Sequence, residues 1–569
     1  MLCFLCESCL FSFIVVRSEN NRHLSQTQLG WSTCVCTFIL LYGIISVKIK
    51  AKWYLGEALP AVLIGVLLGP VAAKFIDTER WGSASPGQTG AITLGLMRVM
   101  IGVQLVIAGY QLPAKYQALR WKEMFLLLIP VMTIMWLCTT LCILATVPKV
   151  TLLAALVIGS CVTCTDPILS QAIAKGPFAD KYVARPLREI ISSEAGANDG
   201  FGFPFLMLAT FLIRHASGHD PVSHSERDLS SENLVSRAVT ATITTSASLM
   251  KRSGEVGRQG GGPGVALTNW LVETWLYQIL MSVAIGLIVG FAAQFALRYA
   301  LRRQWVDSES YLLYPTAIGL WLLSICGLVG TDDLLACFVA GNALNWDGAF
   351  LRETEERHDE VNSVMDVLLN FGGFMYIGAI MPFDQFINPE AGLTIGRLMG
   401  LGVLVIIFRR IPSIFMSYKL MGNVCTNWKE ALFMGYFGPI GAGAVFYVEH
   451  TRHLFPELGE GDEEETDLVR AMVPVVYWLV LFSIVVHGLS IPALNLAYSY
   501  FDVALIDEDA VEVRRKSITI ATPPNAMVVD EEKFIAYNRF SRPVYNVADL
   551  PKVQSRRLNL LKKDAYRAL

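Results

Sequence analysis

Cys161-Val162-Thr163-Cys164-Thr165-Asp166-Pro167 lies inside an apolar run at 150–174, and Ile191-Ser192-Ser193-Glu194-Ala195-Gly196-Ala197-Asn198-Asp199-Gly200 lies inside another at 190–213. An ionisable group near the middle of a membrane helix costs about 2.5–3.5 kcal/mol, so such residues point to function. Pro167 has no amide hydrogen and clashes with the carbonyl of Thr163, which predicts a helix that opens around Thr163–Pro167 and frees backbone oxygens. Helices broken in this way expose carbonyls and helix ends to ions in transporters. The alternative is a simple proline kink with Asp166 facing water. In the second stretch Glu194 and Asn198, four apart, share a helix face, and Asp199 sits about 100° further round. Ala195, Gly196, Ala197, Gly200 and Gly202 let another helix come close. Together these groups read as a lined ion site, against the alternative of a structural hydrogen-bond cluster.

Outward from these two stretches the chain is membrane-like throughout. Of its 569 residues 53% are hydrophobic and 17% charged, against about 25% charged in soluble domains, and the mean hydropathy is +0.47. Apolar runs near the length of a membrane-crossing helix fall at 31–47, 56–73, 90–109, 123–145, 150–174, 190–213, 269–296, 311–329, 331–346, 364–381, 391–408, 430–448 and 468–490. The expected fold is an all-α polytopic membrane protein with about 12–13 transmembrane helices. A net charge of -3 gives no footprint for nucleic acid. Many of the 12 Cys lie in apolar runs, which argues against a disulfide framework. Basic residues gather in one alternating set of loops (Lys48–Lys52, Lys115–Lys122, Lys175–Arg188, Arg298–Arg303, Arg352–Arg357, Arg409–Lys429). By the positive-inside rule that set and the C-terminus are cytoplasmic.

Three regions flank or interrupt the apolar runs. Residues 1–30 are of uncertain structure, with Cys3, Cys6 and Cys9 before a short apolar run. The long loop at 214–268 is Ser/Gly-rich, reads as flexible, and lacks the Gly-Lys-Ser/Thr of a phosphate loop. Residues 491–569 read as a short cytoplasmic tail without a domain-sized core, with 512–520 as an amphipathic element. The exchanger domain proper would be 31–490.

Further ionisable groups need explaining. Asp332 and Asp333 follow Gly330-Thr331; they are candidate transport residues, or a helix N-cap with an acid in its first turn. Arg397 is a lone cation in an apolar span and needs a partner, for which Glu194 is the expected one. Arg409 and Arg410 sit at the end of that span, where they are expected to snorkel to the surface. His487, in Val486-His487-Gly488, either touches the ion path or packs helices. No zinc spacing or nucleotide loop occurs, so no cofactor is expected.

Cys164-Thr165-Asp166-Pro167 followed by Glu194, Asn198, Asp199 and Gly200 resembles the monovalent cation:proton antiporter superfamily. Gly102-Val103-Gln104-Leu105, Gln111-Leu112-Pro113, Gly330-Thr331-Asp332-Asp333, Gly435-Tyr436-Phe437-Gly438-Pro439-Ile440-Gly441 and Val486-His487-Gly488 resemble its fungal plasma-membrane Na+/H+ antiporters. The resemblance covers roughly residues 31–520. It implies inverted repeats with two crossing discontinuous helices, a homodimer embedded in lipid, and exchange of Na+, with Li+ and K+ as further cations, for H+. It also implies that Asp199 binds cation or proton and that the Thr165 backbone oxygen lies near the transported Na+. Asn198 and Asp166 would support the crossing, Glu194 would pair with Arg397, and Asp332 and Asp333 would be additional transport residues, beside His487, a candidate from its own place in the last span. A channel and a non-transporting scaffold are the rival readings. The channel would pass ions without coupling, and the scaffold would survive loss of Asp199.

Overall fold

The computed structural model describes residues 34–44, 49, 55–74, 88–174, 177–216, 256–357, 361–503, 506, 511–514, 526–529 and 533–536. Residues 1–30, most of the long loop and residues 515–520 of the tail lie outside them. A helix stands at every apolar run read from the sequence. In chain order these are α1 (Cys34–Ile44), α2 (Ala58–Leu68), α3 (Thr89–Tyr110), α4 (Trp121–Thr146), α5 (Leu152–Cys161), α6 (Pro167–Ala174), α7 (Arg185–Gly200), α8 (Phe203–Arg214), α9 (Gly262–Arg302) and α10 (Ser308–Val329). They continue as α11 (Asp333–Leu344), α12 (Ala349–Glu356), α13 (Val361–Ala379), α14 (Ile395–Phe408), α15 (Ile411–Ser417), α16 (Trp428–Tyr436), α17 (Ala442–Arg452) and α18 (Glu463–Tyr500). Among the described residues seven helical stretches are by themselves long and apolar enough to cross a membrane, or eight with α11–α12, which bends by 79°. The other runs hold shorter or interrupted helices. The protein is a polytopic all-α membrane protein.

Two runs are interrupted at their centres. The fifth splits into α5 and α6 and the twelfth into α16 and α17. Six runs lie between them, an even number, so the two broken helices run in opposite senses. The run at 190–213 also divides, at Phe201-Gly202, into α7 and α8, and it is the most buried of the spans. Large apolar side chains such as Leu141, Ile288, Phe295, Trp321 and Leu328 stay exposed, as they should where hydrocarbon rather than water is the solvent. The division of 311–346 comes out as read. Gly330 ends α10 in the left-handed region (φ +80), and Asp332 opens α11.

Connections touch in the pairs that alternation requires. Lys115 N–H donates to Trp346 O and Ile506 N–H to Lys181 O, joining connections of one set. Thr151 Oγ1 donates to Glu464, and Arg258 pairs with both Asp462 and Glu464, joining connections of the other.

Boundaries moved in two places. The acidic run before the last span is partly helix: Asp462 caps α18, and Glu463, Glu464 and Glu465 fill its first turn, where carboxylates meet the positive helix end. The glycines at 260–262 begin α9 rather than forming part of a free loop. His215 Nδ1 lies 2.7 Å from Gly260 O, and the amides of Gln259 and Gly262 reach back to the carbonyls of Arg214 and His215. The two ends of the long loop are thereby held side by side. Bridging Ala216 to Val256 with a short linker is expected to leave folded yield and melting behaviour within about 0.5 kcal/mol of the parent, read by thermal unfolding in detergent. Extending the deletion through Gly262 removes the clasp and should destabilise. Equal damage from both deletions would show that the clasp is not what joins α8 to α9.

In the tail, β1 (Val511–Arg514), β2 (Ala526–Val528) and β3 (Lys533–Ala536) form a small antiparallel sheet in the order β1-β3-β2. The start of the expected amphipathic element is therefore a strand.

Candidate functional site

The two broken helices meet at their gaps. A helix end leaves amides or carbonyls without intrahelical partners, and here four ends converge. Asp166 serves the two N-terminal ends. Its Oδ1 accepts from Leu169 N in the first turn of α6 (2.8 Å), and its Oδ2 accepts from Ala442 N, the first residue of α17 (2.6 Å). Its own amide donates across the gap to Pro439 O at 2.9 Å. Arg409 serves the two C-terminal ends. Its Nη1 donates to the carbonyls of Val162, Thr163 and Cys164 beyond α5, and its Nη2 to Gly438 O beyond α16. The anion thus sits at positive helix ends and the cation at negative ones, the favourable arrangement for both dipoles. The opening around Thr163–Pro167 expected from Pro167 is present. The carbonyls it frees are largely taken by Arg409, which the sequence reading had placed at the membrane surface.

Asn198 ties α7 to this crossing. Its Oδ1 accepts from Thr165 N at 3.2 Å, and its Nδ2 donates to Thr165 Oγ1 at 2.8 Å. Cys164 Sγ donates to Asn198 O at 3.0 Å. Asp199 is next along the chain and wholly buried. Its backbone carbonyl accepts from Tyr447 Oη, but neither carboxylate oxygen has a hydrogen-bond partner among the described residues. The carboxylate faces the first turn of α17, where a Cβ on Gly443 would stand 2.5 Å from Oδ1. Only glycine leaves the carboxylate that room.

The expected Glu194–Arg397 pair is not formed. Glu194 is gripped from both oxygens by Arg410, with Nη1–Oε1 at 2.6 Å and Nη2–Oε2 at 2.7 Å, and Arg410 Nε also donates to Met434 O. Both partners are buried. Arg397 lies in the first turn of α14, donates to Gly392 O at 2.6 Å, and is exposed. Thirteen residues of chain separate the two arginines, about 20 Å of helix rise, so only one of them can reach Glu194. The helix is interrupted at Arg409 and Arg410, with Pro412 in the first turn of α15, and both arginines are buried. Pro412 was the available signal.

Asp332 is an N-cap, as one of the two readings had it: its Oδ1 accepts from Leu335 N at 3.0 Å. Its Oδ2 has no hydrogen-bond partner among the described residues. Asp333 lies 2.9 Å from Arg98 Nε. α11 presses closely on α7, where a Cβ on Gly200 would come within 2.6 Å of Leu335 Cα. That contact is the close approach expected from the small residues of α7. His487 is buried against the second broken helix, with Nε2 3.0 Å from Tyr436 O. Tyr447 and Gly443, which border Asp199, were missed because neither is unusual in an apolar run. No cluster of His, Cys, Asp and Glu suited to a resident metal occurs among the described residues.

The chain spans 80% of its own length in a match, at 35% identity, to a probable Na+/H+ antiporter of Schizosaccharomyces pombe, and covers 54% of that protein. It is 31% identical to a Na+/H+ antiporter of Saccharomyces cerevisiae over 81% of its length, covering 43% of that protein. A second S. pombe Na+/H+ antiporter is 29% identical and is covered over 88% of its length. The chain thus spans about half the length of the first two. In fold it is similar to the sodium proton antiporter MjNhaP1 of Methanocaldococcus jannaschii, with a TM-score of 0.53 and 14% identity, over 81% of this chain and 97% of that one. Residues 36–496 match the transmembrane sodium/hydrogen exchanger family. On that match, together with the broken helices that cross beside Asp199, the chain belongs to the sodium/hydrogen exchanger family.

Proposed function

We propose that this chain is a secondary active antiporter, not an enzyme, that exports Na+ across the plasma membrane in exchange for external H+ and so serves cation and pH homeostasis. Li+ and K+ are further candidate cations. The observation that carries the reading is Asp199: a buried carboxylate, without a hydrogen bond from any described residue, where two helices are interrupted. A buried charge without partners is costly, and either a proton or a bound cation relieves that cost. Facing outward, Asp199 takes a proton. Facing inward it gives the proton up and admits Na+, with the Thr165 backbone oxygen beside it. Ionised and empty, the site bears the whole desolvation cost, which discourages uncoupled crossing. Asn198 and Asp166 hold the crossing in shape, the latter together with Arg409, and Glu194–Arg410 anchors α7 to the turn between α14 and α15. Asp332 and Asp333 are candidates for a second proton or cation station. The working unit is a homodimer in lipid with its C-terminus in the cytoplasm.

The test is Na+-driven proton flux in liposomes holding the purified protein, with Na+, Li+ and K+ compared. Flux driven by a cation gradient with no ATP present is expected. Currents far above transporter rates and insensitive to an opposing proton gradient would instead make the chain a channel.

If proton and Na+ share one carboxylate, they compete. Lowering the pH should raise the apparent Na+ KM, approaching about tenfold per pH unit once the site is mostly protonated, with the maximal rate at saturating Na+ little changed. A KM that does not move with pH would remove shared-site competition while leaving Asp199 open to test.

A further inference from the structure

Between Tyr436, the end of α16, and Ala442, the start of α17, the backbone has lost its helical hydrogen bonds, and buried peptide groups must be paired elsewhere. Three of these groups are met at the crossing: Gly438 O by Arg409, Pro439 O by the Asp166 amide, and Ala442 N by the Asp166 carboxylate. Two more are met from the opposite side by one turn of α18. Ile440 N donates to Ser483 Oγ at 2.7 Å, and His487 Nε2 stands 3.0 Å from Tyr436 O. Nδ1 also lies 2.9 Å from the Ser483 carbonyl of its own helix, so the ring meets a carbonyl, which only accepts, on each side. The two side chains, four residues apart on the same helix face, are themselves joined, with Ser483 Oγ 3.1 Å from His487 Nδ1. All of these side chains are buried. They face a small cavity lined also by Arg409, Arg410, Gly438 and Ile440. This accounts for why the Gly435–Gly441 stretch and Val486-His487-Gly488 both stand out in the sequence: one supplies the opened backbone and the other the residue that holds it.

We propose that Ser483 and His487 are positioning residues, a two-point clamp on the unwound stretch of the second broken helix that fixes how this stretch meets Asp166 and Arg409 and thereby sets the cation affinity of the Asp199 site. Neither side chain touches the ion. The inference rests on the antiport reading for its effect on affinity, but the clamp itself can be tested without transport.

His487→Ala and Ser483→Ala are each expected to raise the apparent Na+ KM about three- to tenfold, the scale of one lost hydrogen bond, with the maximal rate per folded molecule nearly kept. The double variant should be little worse than either single one, because the pair acts as a unit. His487→Gln, whose amide can still donate to Tyr436 O, should recover most of the affinity. A merely structural role would lower folded yield and maximal rate and leave KM in place. In parallel, hydrogen–deuterium exchange of the peptide spanning Phe437–Ala442 should speed up in His487→Ala and Ser483→Ala and return toward the parent in His487→Gln. Unchanged exchange in that peptide would overturn the clamp whatever the flux shows. Faster exchange with unchanged KM would overturn its link to affinity. A parent protein without Na+-dependent proton flux would refute the antiport reading, and the exchange result would still decide the clamp.

Discussion

Asp199→Asn abolishes cation-driven proton flux and leaves a folded membrane protein: that is the largest effect expected of any single substitution. The side chain keeps its volume beside Gly443 and sacrifices no hydrogen bond to the described residues, because the carboxylate oxygens make none there. What disappears is the charge and the titration together. A neutral amide cannot compensate a dehydrated cation in a low-dielectric interior, and it cannot carry a proton back. Flux should fall to that of empty liposomes, while thermal stability equals or exceeds the parent's, since an unpaired buried carboxylate is removed. Asp199→Glu keeps the charge but pushes one methylene toward α17, and should shift Na+ affinity or the pH profile rather than abolish exchange. Asp332→Asn should hurt less than Asp199→Asn, because an amide oxygen still caps α11. Normal coupled exchange by Asp199→Asn would end the proposed mechanism.

The second large effect concerns stability. Arg410→Met leaves Glu194 buried without its bidentate partner and should cost about 3–5 kcal/mol, seen as a sharp fall in folded yield and melting temperature. Removing both charges in Glu194→Leu/Arg410→Met should restore most of the loss, since an apolar pair of similar volume substitutes well for a buried ion pair. The remaining defect is the Met434 carbonyl that Arg410 Nε serves, worth about 1–3 kcal/mol. Arg397→Ala, by contrast, removes an exposed side chain bonded to Gly392 O and should change stability by about 0.5 kcal/mol or less. Equal losses from Arg397→Ala and Arg410→Met would contradict the observed pairing.

Much of this molecule was legible in its sequence because a membrane imposes one-dimensional rules. Hydrocarbon forces backbone polar groups into helices, so apolar runs located the helices. Proline cannot continue a helix hydrogen-bond ladder, so Pro167 located the first gap, and Gly330 with Asp332 located the start of α11. The cost of burying charge singled out Asp166, Glu194 and Asp199. What the sequence left open was which opposite charges and which backbone ends these residues meet. For Glu194 the choice fell on Arg397, the lone cation in an apolar span, because Arg409 and Arg410 sat at the end of that run. The packed structure puts both inside instead, one on Glu194 and the other on four carbonyls at the ends of two different helices. The same holds for Ser483 and His487, whose partners lie 43 and 51 residues away. Helix position depends on neighbours in the chain and on the solvent, which composition records. Pairing depends on where two gaps cross in space, and only the packed bundle decides that.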